Sequence, residues 1–365
     1  MKKTIIISNY DDIRNPYYAG GGAHANHEVA KRLTKLFDIK IITGKYPQSK
    51  NGVVDGITYE RIGISFGGPK IGQLIYQLCL PYYVHTKRFD VWTESFTPPF
   101  STNFLQFFTK NPVIGLIHML SGDDMKRKYK LPFHLVENLG LKTYKHFIVT
   151  SELIKNKVEK KNTHASIELI PNGIEKIKIA QTNKKDYILF LGRIEVDQKG
   201  LDLLLSSFEK IHGEIEYKLA IAGNGETKQI NILNKLIKEK GLEKSVILLG
   251  RVDGRKKEKI IEKSFCIVVP SRFETFSIVA LEALAHGVPL ITFDIEGLSW
   301  IPKNCRIKIK PFDTKSLSKQ IINLSKDKDM QKILTKNGKK FTQQYTWDTI
   351  AKKYISYFNY ILKNK

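Results

Sequence analysis

The chain has 365 residues, and its 60 Lys and Arg against 36 Asp and Glu give a formal net charge of +24. That length suggests two domains, each burying its own core, and 42% hydrophobic with 26% charged residues excludes wholesale disorder. The basic excess admits nucleic acid, an anionic membrane surface or anionic small substrates as partners; because fifty of the sixty cations are Lys, compositional bias competes with all three.

In chain order, Lys2 and Lys3 precede the apolar run Ile5–Ile7, which ends at Asp11 and Asp12. That run is too short for the core of a signal peptide and reads as a first strand, Thr4–Ser8. Tyr17–Gly22 follows, with Gly20, Gly21 and Gly22 opening a helix expected from near His24. Glycines there let backbone N–H groups approach a phosphate; a plain strand-to-helix turn is the competing reading. Further expected elements are the helix Glu28–Leu36 and the strands Ile39–Thr43, Val113–Ile117 and Phe147–Thr150. The longest apolar window, Ile71–Val84, is broken by Gln73, Gln77 and Pro81 and is too short to span a bilayer. In Lys126–Lys130, cations stand beside Leu131–Phe133, a pattern that suits anionic headgroups as well as an exposed charged loop. Cys79, Cys266 and Cys305 form neither a disulfide framework nor a metal pair, so a reducing compartment is expected.

Polar Pro171–Lys185 marks the domain boundary. Beyond it the expected strands are Tyr187–Leu191, Lys218–Ala222, Val246–Leu249, Phe265–Val269 and Pro289–Phe293, with helices Leu201–Ile211 and Ile230–Lys240 between them. The chain closes on an amphipathic helix, Trp347–Leu362. Strands alternating with helices imply parallel sheets covered on both faces, which bind ligands at the carboxyl ends of their strands.

Chemistry concentrates there. After Tyr187–Leu191, Arg193 and Lys199 are placed to converge on one anion. After Lys218–Ala222, Gly223 and Gly225 sit in another strand-to-helix turn. In Pro270–Pro289, every residue from Ile278 to Ala285 is small or apolar except Glu282, and a buried carboxylate needs a partner. A ribose diol is one such partner; His286 one turn on, or a lysine, is another. Glu274 falls before the helix, where a carboxylate also favours the dipole. One continuous helix would separate Glu274 and Glu282 by about 12 Å, more than the ~5–9.5 Å of glycosidase carboxylate pairs.

The stretch Glu274–Glu282 resembles the E-x7-E signature of the retaining nucleotide-sugar glycosyltransferases grouped as family 4. The resemblance extends over nearly the whole chain, through Gly20–Gly22, His118, Pro171–Ile174, Gly192–Arg193, Lys199–Gly200, Gly223–Gly225 and Tyr345–Trp347. It implies two Rossmann-like, doubly wound parallel-sheet domains facing across a cleft, the GT-B fold. Residues 1–172 would be the acceptor-side domain, 173–344 the donor-binding domain, and helix 345–365 would pack back onto the first. By the same resemblance Glu282 binds the donor ribose and Glu274 contacts the transferred sugar. Backbone around Phe276, Ser277 and Ile278, with Gly223 and Gly225, holds sugar and phosphates. Arg193 and Lys199 neutralise the diphosphate, Gly21 and Gly22 close over it, and His118 lies near the reacting centre.

The implied donor is a nucleoside-diphosphate sugar, UDP- ahead of GDP-, and the acceptor is a glycan or lipid-linked molecule of cell-surface glycan biosynthesis. No cofactor or metal and no nucleic acid is expected. The expected location is cytoplasmic, with peripheral contact on the anionic inner membrane face. Departures from the family pattern are Ser277 for glycine, Glu175 for aspartate and Trp300 at an often acidic position. Asp327–Lys328–Asp329 matches a D-x-D metal motif but lies among lysines, as a solvated helix face does. Two readings compete with sugar transfer: a basic nucleic-acid-binding protein, for which no recognised module is present, and a sugar-nucleotide epimerase of the same fold. Residues 1–172 carry 24 basic and 14 acidic groups, net +10, leaving +14 for the remainder, so neither half holds a concentrated basic block.

Overall fold

A computed structural model describes residues 2–16, 20–177 and 185–364, without the side chains of Asp124 and Lys128. Of the features expected from sequence, Tyr17–Ala19 and residues 178–184 of the polar boundary lie outside the described residues. The chain divides into two compact units, Met1–Gly173 with Trp347–Lys365, and Ile174–Thr346.

The first unit contains β1 (Thr4–Ser8), β2 (Asp38–Gly44), β3 (Gly52–Val54), β4 (Ile57–Ile62), β5 (Val91–Ser95), β6 (Val113–Ile117), β7 (His146–Val149) and β8 (Ser166–Leu169). They form one sheet in the order β3-β4-β2-β1-β5-β6-β7-β8, parallel except where β3 pairs with β4. Its helices are α1 (Gly21–Leu33), α2 (Gly68–Thr86), α3 (Gly122–Tyr129), α4 (Phe133–Thr143) and α5 (Glu152–Glu159). Helix α1 begins at Gly21, three residues before the expected start, so Gly21 and Gly22 lie in its first turn.

The β-branched runs bury side chains on both sheet faces, as a covered parallel sheet requires. One face packs α1 with the chain's last helix through Ile5, Ile39, Val29, Tyr354 and Phe358; the other packs α2 through Tyr76, Leu80 and Val84.

The second unit contains β9 (Tyr187–Leu191), β10 (Lys218–Ala222), β11 (Val246–Gly250), β12 (Ser264–Val269), β13 (Leu290–Phe293) and β14 (Ile307–Ile309). All are parallel, in the order β11-β10-β9-β12-β13-β14. Its helices are α6 (Leu201–Phe208), α7 (Thr227–Glu239), α8 (Gly254–Lys263), α9 (Ile278–His286), α10 (Thr314–Lys326) and α11 (Lys328–Thr342). Helix α12 (Trp347–Lys363) then returns to the first unit, where Arg32 Nε meets Asp348 Oδ1 at 2.6 Å. In the second sheet the strand order reverses between β9 and β12. A crevice opens outside the carboxyl ends of two such strands, because their following chains run to opposite faces. No helix among the described residues is long and apolar enough to cross a membrane.

Candidate functional site

The loop after β9, the loop after β10 and the loop after β12 meet at this switch point, and glycine is what lets them meet. Gly192 N donates to Ala222 O (3.0 Å) and Ile194 N to Asn224 O (2.8 Å), locking the first two loops edge to edge. A Cβ on Gly223 would overlap the Gly192 carbonyl, and one on Gly225 the Ile194 carbonyl. Close backbone approach alone therefore requires glycine at both positions. The third loop joins the first where Arg272 N donates to Gln198 O at 2.9 Å. The Arg272 guanidinium holds Asp202 through two bonds of 2.8 and 2.7 Å, a planar fork on a carboxylate.

On this frame Lys199 Nζ meets Glu274 Oε1 at 2.7 Å, and Ser271 Oγ donates to the same oxygen at 2.8 Å. Both members of the ion pair are largely buried, at 19% and 11% exposed, so the lysine is held by an acid instead of waving in solvent. Arg193 is exposed, and its Nη2 donates to Gln198 Oε1 at 2.9 Å. The two cations expected to converge on one anion are each bonded to a neighbour within the unit.

Glu274 lies outside the helix, which begins at Ile278; the continuous-helix spacing of the two carboxylates does not apply. Of the two partners within the chain expected for Glu282, His286 and a lysine, the lysine is the one present. The carboxylate pairs with Lys257 of α8, Nζ to Oε1 at 2.5 Å, while His286 Nδ1 lies 4.0 Å from Glu262. Burial, with Lys257, Lys185 and Lys339 adding repulsion, pushes His286 down to about 4.

Ser277, where the family pattern has glycine, caps the helix: its Oγ accepts from Ala280 N at 3.2 Å. A capping hydroxyl satisfies one of the amides that every helix start leaves without an intrahelical partner. Trp300, the other departure, stacks on Phe276 with centroids 4.5 Å apart and planes 15° apart, and also faces Tyr345 and Phe341. Gly297 presses against the Glu274 carbonyl, where a Cβ would overlap it. Lys257, Ser271 and the aromatic stack are the features that sequence reasoning missed.

In the first unit His118 follows β6 and Gly22 opens α1 beside it; a Cβ on Gly22 would lie 3.6 Å from the ring's Cδ2. His118 Nε2 lies 3.4 Å from Asn26 Oδ1, and its buried Nδ1 has no hydrogen-bond partner. Burial lowers the imidazole to about 4, so it is neutral at pH 7. Asp11, also missed, sits where a Cβ on Gly20 would touch its Oδ2 at 3.2 Å. Its carboxyl is pushed up to about 6 by burial.

Among the described residues no group of three His, Cys, Asp or Glu could hold a metal. Asp327 caps α11 by accepting from Met330 N at 2.8 Å, and Asp329 is 88% exposed.

Residues 19–176 match the family model described as Glycosyltransferase Family 4, and residues 173–341 that described as Glycosyl transferases group 1. An uncharacterised glycosyltransferase of Methanocaldococcus jannaschii is 29% identical over 266 residues, 67% of this chain and 66% of that protein. Mannosylfructose-phosphate synthase of Agrobacterium fabrum is 30% identical over 179 residues, 46% of this chain and 39% of the relative. The matches thus span at most 66% of these curated relatives' own lengths.

Two solved structures show the same GT-B fold. Sucrose-phosphate synthase from Thermosynechococcus elongatus has a TM-score of 0.84 at 18% identity, covering 100% of both chains. Anabaena HepE in complex with UDP-glucose has 0.77 at 15%, covering 98% of this chain and 99% of its own. Between them the two family models run from residue 19 to residue 341, and the chain belongs to the glycosyltransferases of the family 4 type.

Proposed function

We propose that the chain transfers a sugar, with retention of anomeric configuration, from a nucleoside-diphosphate sugar to a glycan or lipid-linked acceptor. The observation that carries this reading is the Lys199–Glu274 pair at the β9/β12 switch point, one turn before the start of α9. A leaving diphosphate needs fixed positive charge, and an ammonium retains two further N–H donors while bound to Glu274. Arg193 in the same loop and the first amides of α9 add to that charge, which favours developing anions without reorganisation.

The bond between the anomeric carbon and the diphosphate oxygen breaks, and the acceptor oxygen bonds to that carbon on the same face. The acceptor's proton passes to the departing diphosphate, so no protein nucleophile is needed. Glu274 faces the transferred sugar and Glu282 the ribose diol, its Oε1 already on Lys257 and its Oε2 left to accept. Gly21 and Gly22 approach the diphosphate and a neutral His118 lies beside the sugar. The cations of the chain carry the diphosphate charge in place of a metal. UDP is the preferred nucleotide, a choice supported by the Anabaena relative's UDP-glucose complex.

A thermal-shift panel of UDP, GDP and ADP tests the donor, since a tight ligand raises the melting temperature. The expected outcome is the largest shift with UDP. Product analysis by NMR then reads the anomeric configuration; an epimerised donor formed without acceptor would refute transfer.

A further inference from the structure

Two loops of the first unit, the one after β5 and the one after β6, are tied to a single carboxylate on α4. Glu137 is buried, and its Oε2 accepts from Ser121 N and Gly122 N, both at 2.9 Å, and from Ser101 Oγ at 2.7 Å. Three donors on one oxygen thus join the two loops to one helix.

These bonds are not ordinary capping. Ser121 stands at the N-cap of α3, where a serine hydroxyl usually satisfies a first-turn amide. It makes no such bond, and its own backbone is already helical, at φ −116° and ψ −2°. The amides go to an acid on another helix instead. Gly122 permits that approach, since a Cβ there would meet His134 Cα at 2.8 Å and Glu137 Oε1 at 2.9 Å. Ser101 is held at φ 65°, a left-handed conformation that residues with a side chain seldom adopt. Its amide and its carbonyl are both bonded to Thr97, at 3.0 Å each. All three donors to Glu137 are neutral, so a glutamine carbonyl in the same place would accept them. What position 137 must supply is reach.

The clamp bears on His118. Only His118, Met119 and Leu120 stand between Ile117, the last residue of β6, and Ser121. This span is fixed at its start by the sheet and by Thr150 Oγ1, which donates to His118 O at 3.4 Å, and at its end by Glu137. The ring itself has only the 3.4 Å contact of Nε2 with Asn26 Oδ1. One contact of that length does not hold an imidazole in place.

We propose that Glu137 is a positioning residue: by fastening Ser121 and Gly122 it fixes the span that carries His118, and so sets the imidazole beside the transferred sugar. The inference rests on the reading of His118 at the sugar and adds the group that puts it there. Glu137 acts through the loop, behind Ser101 and Ser121, which are 2% and 3% exposed.

Two substitutions separate reach from charge. Glu137→Gln loses the charge and keeps an oxygen where the three donors meet; Glu137→Asp keeps the charge and is one methylene shorter. The first measurement is NMR titration of the full chain with isotopically labelled histidine, the His118 ring signal being assigned by its loss in His118→Ala. Burial holds that ring at about 4. The midpoint should stay there in Glu137→Gln and climb toward 6.5 in Glu137→Asp, as the span opens to water. No substrate enters this measurement. Release of UDP from UDP-glucose then reads the consequence for the reaction. Glu137→Asp should lower kcat by about 10²-fold, the loss that follows a misplacement of about an ångström, while Glu137→Gln stays close to wild type. UDP affinity, set by the second unit, should be unchanged in both. In a His118→Ala background Glu137→Asp should cost nothing further, whereas a purely structural acid would lower both backgrounds by the same factor. Should the shorter side chain not fold, Glu137→Met, of similar length but without an acceptor, carries the same comparison. A His118 midpoint unmoved in Glu137→Asp, or raised equally in Glu137→Gln, would overturn the proposal. So would wild-type turnover in Glu137→Asp, or equal losses in both backgrounds. Wild-type turnover in His118→Ala would overturn instead the reading of His118 at the sugar. An inert wild-type chain would count against the donor, and the histidine titration would still decide the positioning.

Discussion

The two sheets finish their strands in opposite ways. In the second unit the loops beyond β9, β10 and β12 are bonded to one another, and the charged groups Lys199, Glu274, Arg272 and Glu282 all have ionic partners. In the first unit the corresponding ground is held by groups whose charged forms burial disfavours, His118, neutral at pH 7 with an unpartnered Nδ1, and Asp11, with its carboxyl raised to about 6. A pre-bonded ion network offers fixed charge to a ligand that carries charge. Buried neutral groups offer shape and hydrogen bonding at little electrostatic cost. On the proposed reading, this contrast puts the diphosphate chemistry on the second unit.

The contrast breaks most visibly at Lys199. Lys199→Ala should lower donor turnover by about 10²–10³-fold, the usual cost of removing one preorganised charge donor, and should also lower the melting temperature, because Glu274 is left buried without its cation. Wild-type turnover would show that the second unit's network is structural only. Next in size is the loop packing itself. Gly223→Ala must push the Gly192 carbonyl aside from a backbone at φ 153°, and should cost about 2 kcal/mol. Calorimetry should see that as a fall of about 5 °C in the second unit's transition. A stable Gly223→Ala would mean that these loops are looser than their bonds suggest.

Much of this frame was legible beforehand, because β1, β6, β9 and β10 are built on short apolar runs bounded by turn residues. The strands missed share a different trait. In β4 the alternation of Ile57 and Tyr59 with Thr58 and Glu60 reads as a polar segment, and β5 carries Glu94 into the core. That carboxylate is tolerated because Tyr144, Asn103 N (2.7 Å) and Asn103 Nδ2 (3.0 Å) all bond it, and none of those partners announces itself along the chain.

The candidate site divides likewise. Spacing pointed to Lys199, Glu274 and Glu282, yet Lys257 lies twenty-five residues before its partner on another helix, and Trp300 twenty-four after Phe276. Pairing across elements has no periodicity to read. Gln77, one of the residues that break the apolar window of α2, is likewise buried on the carbonyls of Thr97 and Pro98.

Acid sharpens the comparison with a smaller effect. His118 and His286 titrate near 4 when folded against 6.5 when not. Their stabilisation is therefore whole above about pH 6.5 and lost as pH falls toward 4. Asp11 has the opposite sign: raised from 3.8 to about 6, it costs stability as pH climbs through that interval. In the first unit the two shifts oppose each other; in the second, His286 stands without such a counterweight among these strongly shifted groups. Hydrogen exchange at pH 4.5 against pH 7.5 should show the second unit losing more protection, and His286→Asn should narrow the difference. Equal losses in both units would contradict the assignment.

The smallest expected effect concerns Lys257. If the second unit's charges are preorganised for the donor, this lysine is a positioning residue that holds the Glu282 carboxylate, one oxygen engaged and the other presented. The pair is partly exposed, 32% on the lysine and 12% on the acid, so its own coupling energy should be about 0.5–1 kcal/mol. Lys257→Met should then raise KM for the donor a few-fold and leave kcat nearly unchanged, while Glu282→Ala raises KM further. In the double variant the lysine substitution should add nothing, because there is no carboxylate left to aim. Additive losses would instead place Lys257 in direct contact with the donor, and the second unit's network would be a set of separate ligands, not one bonded frame.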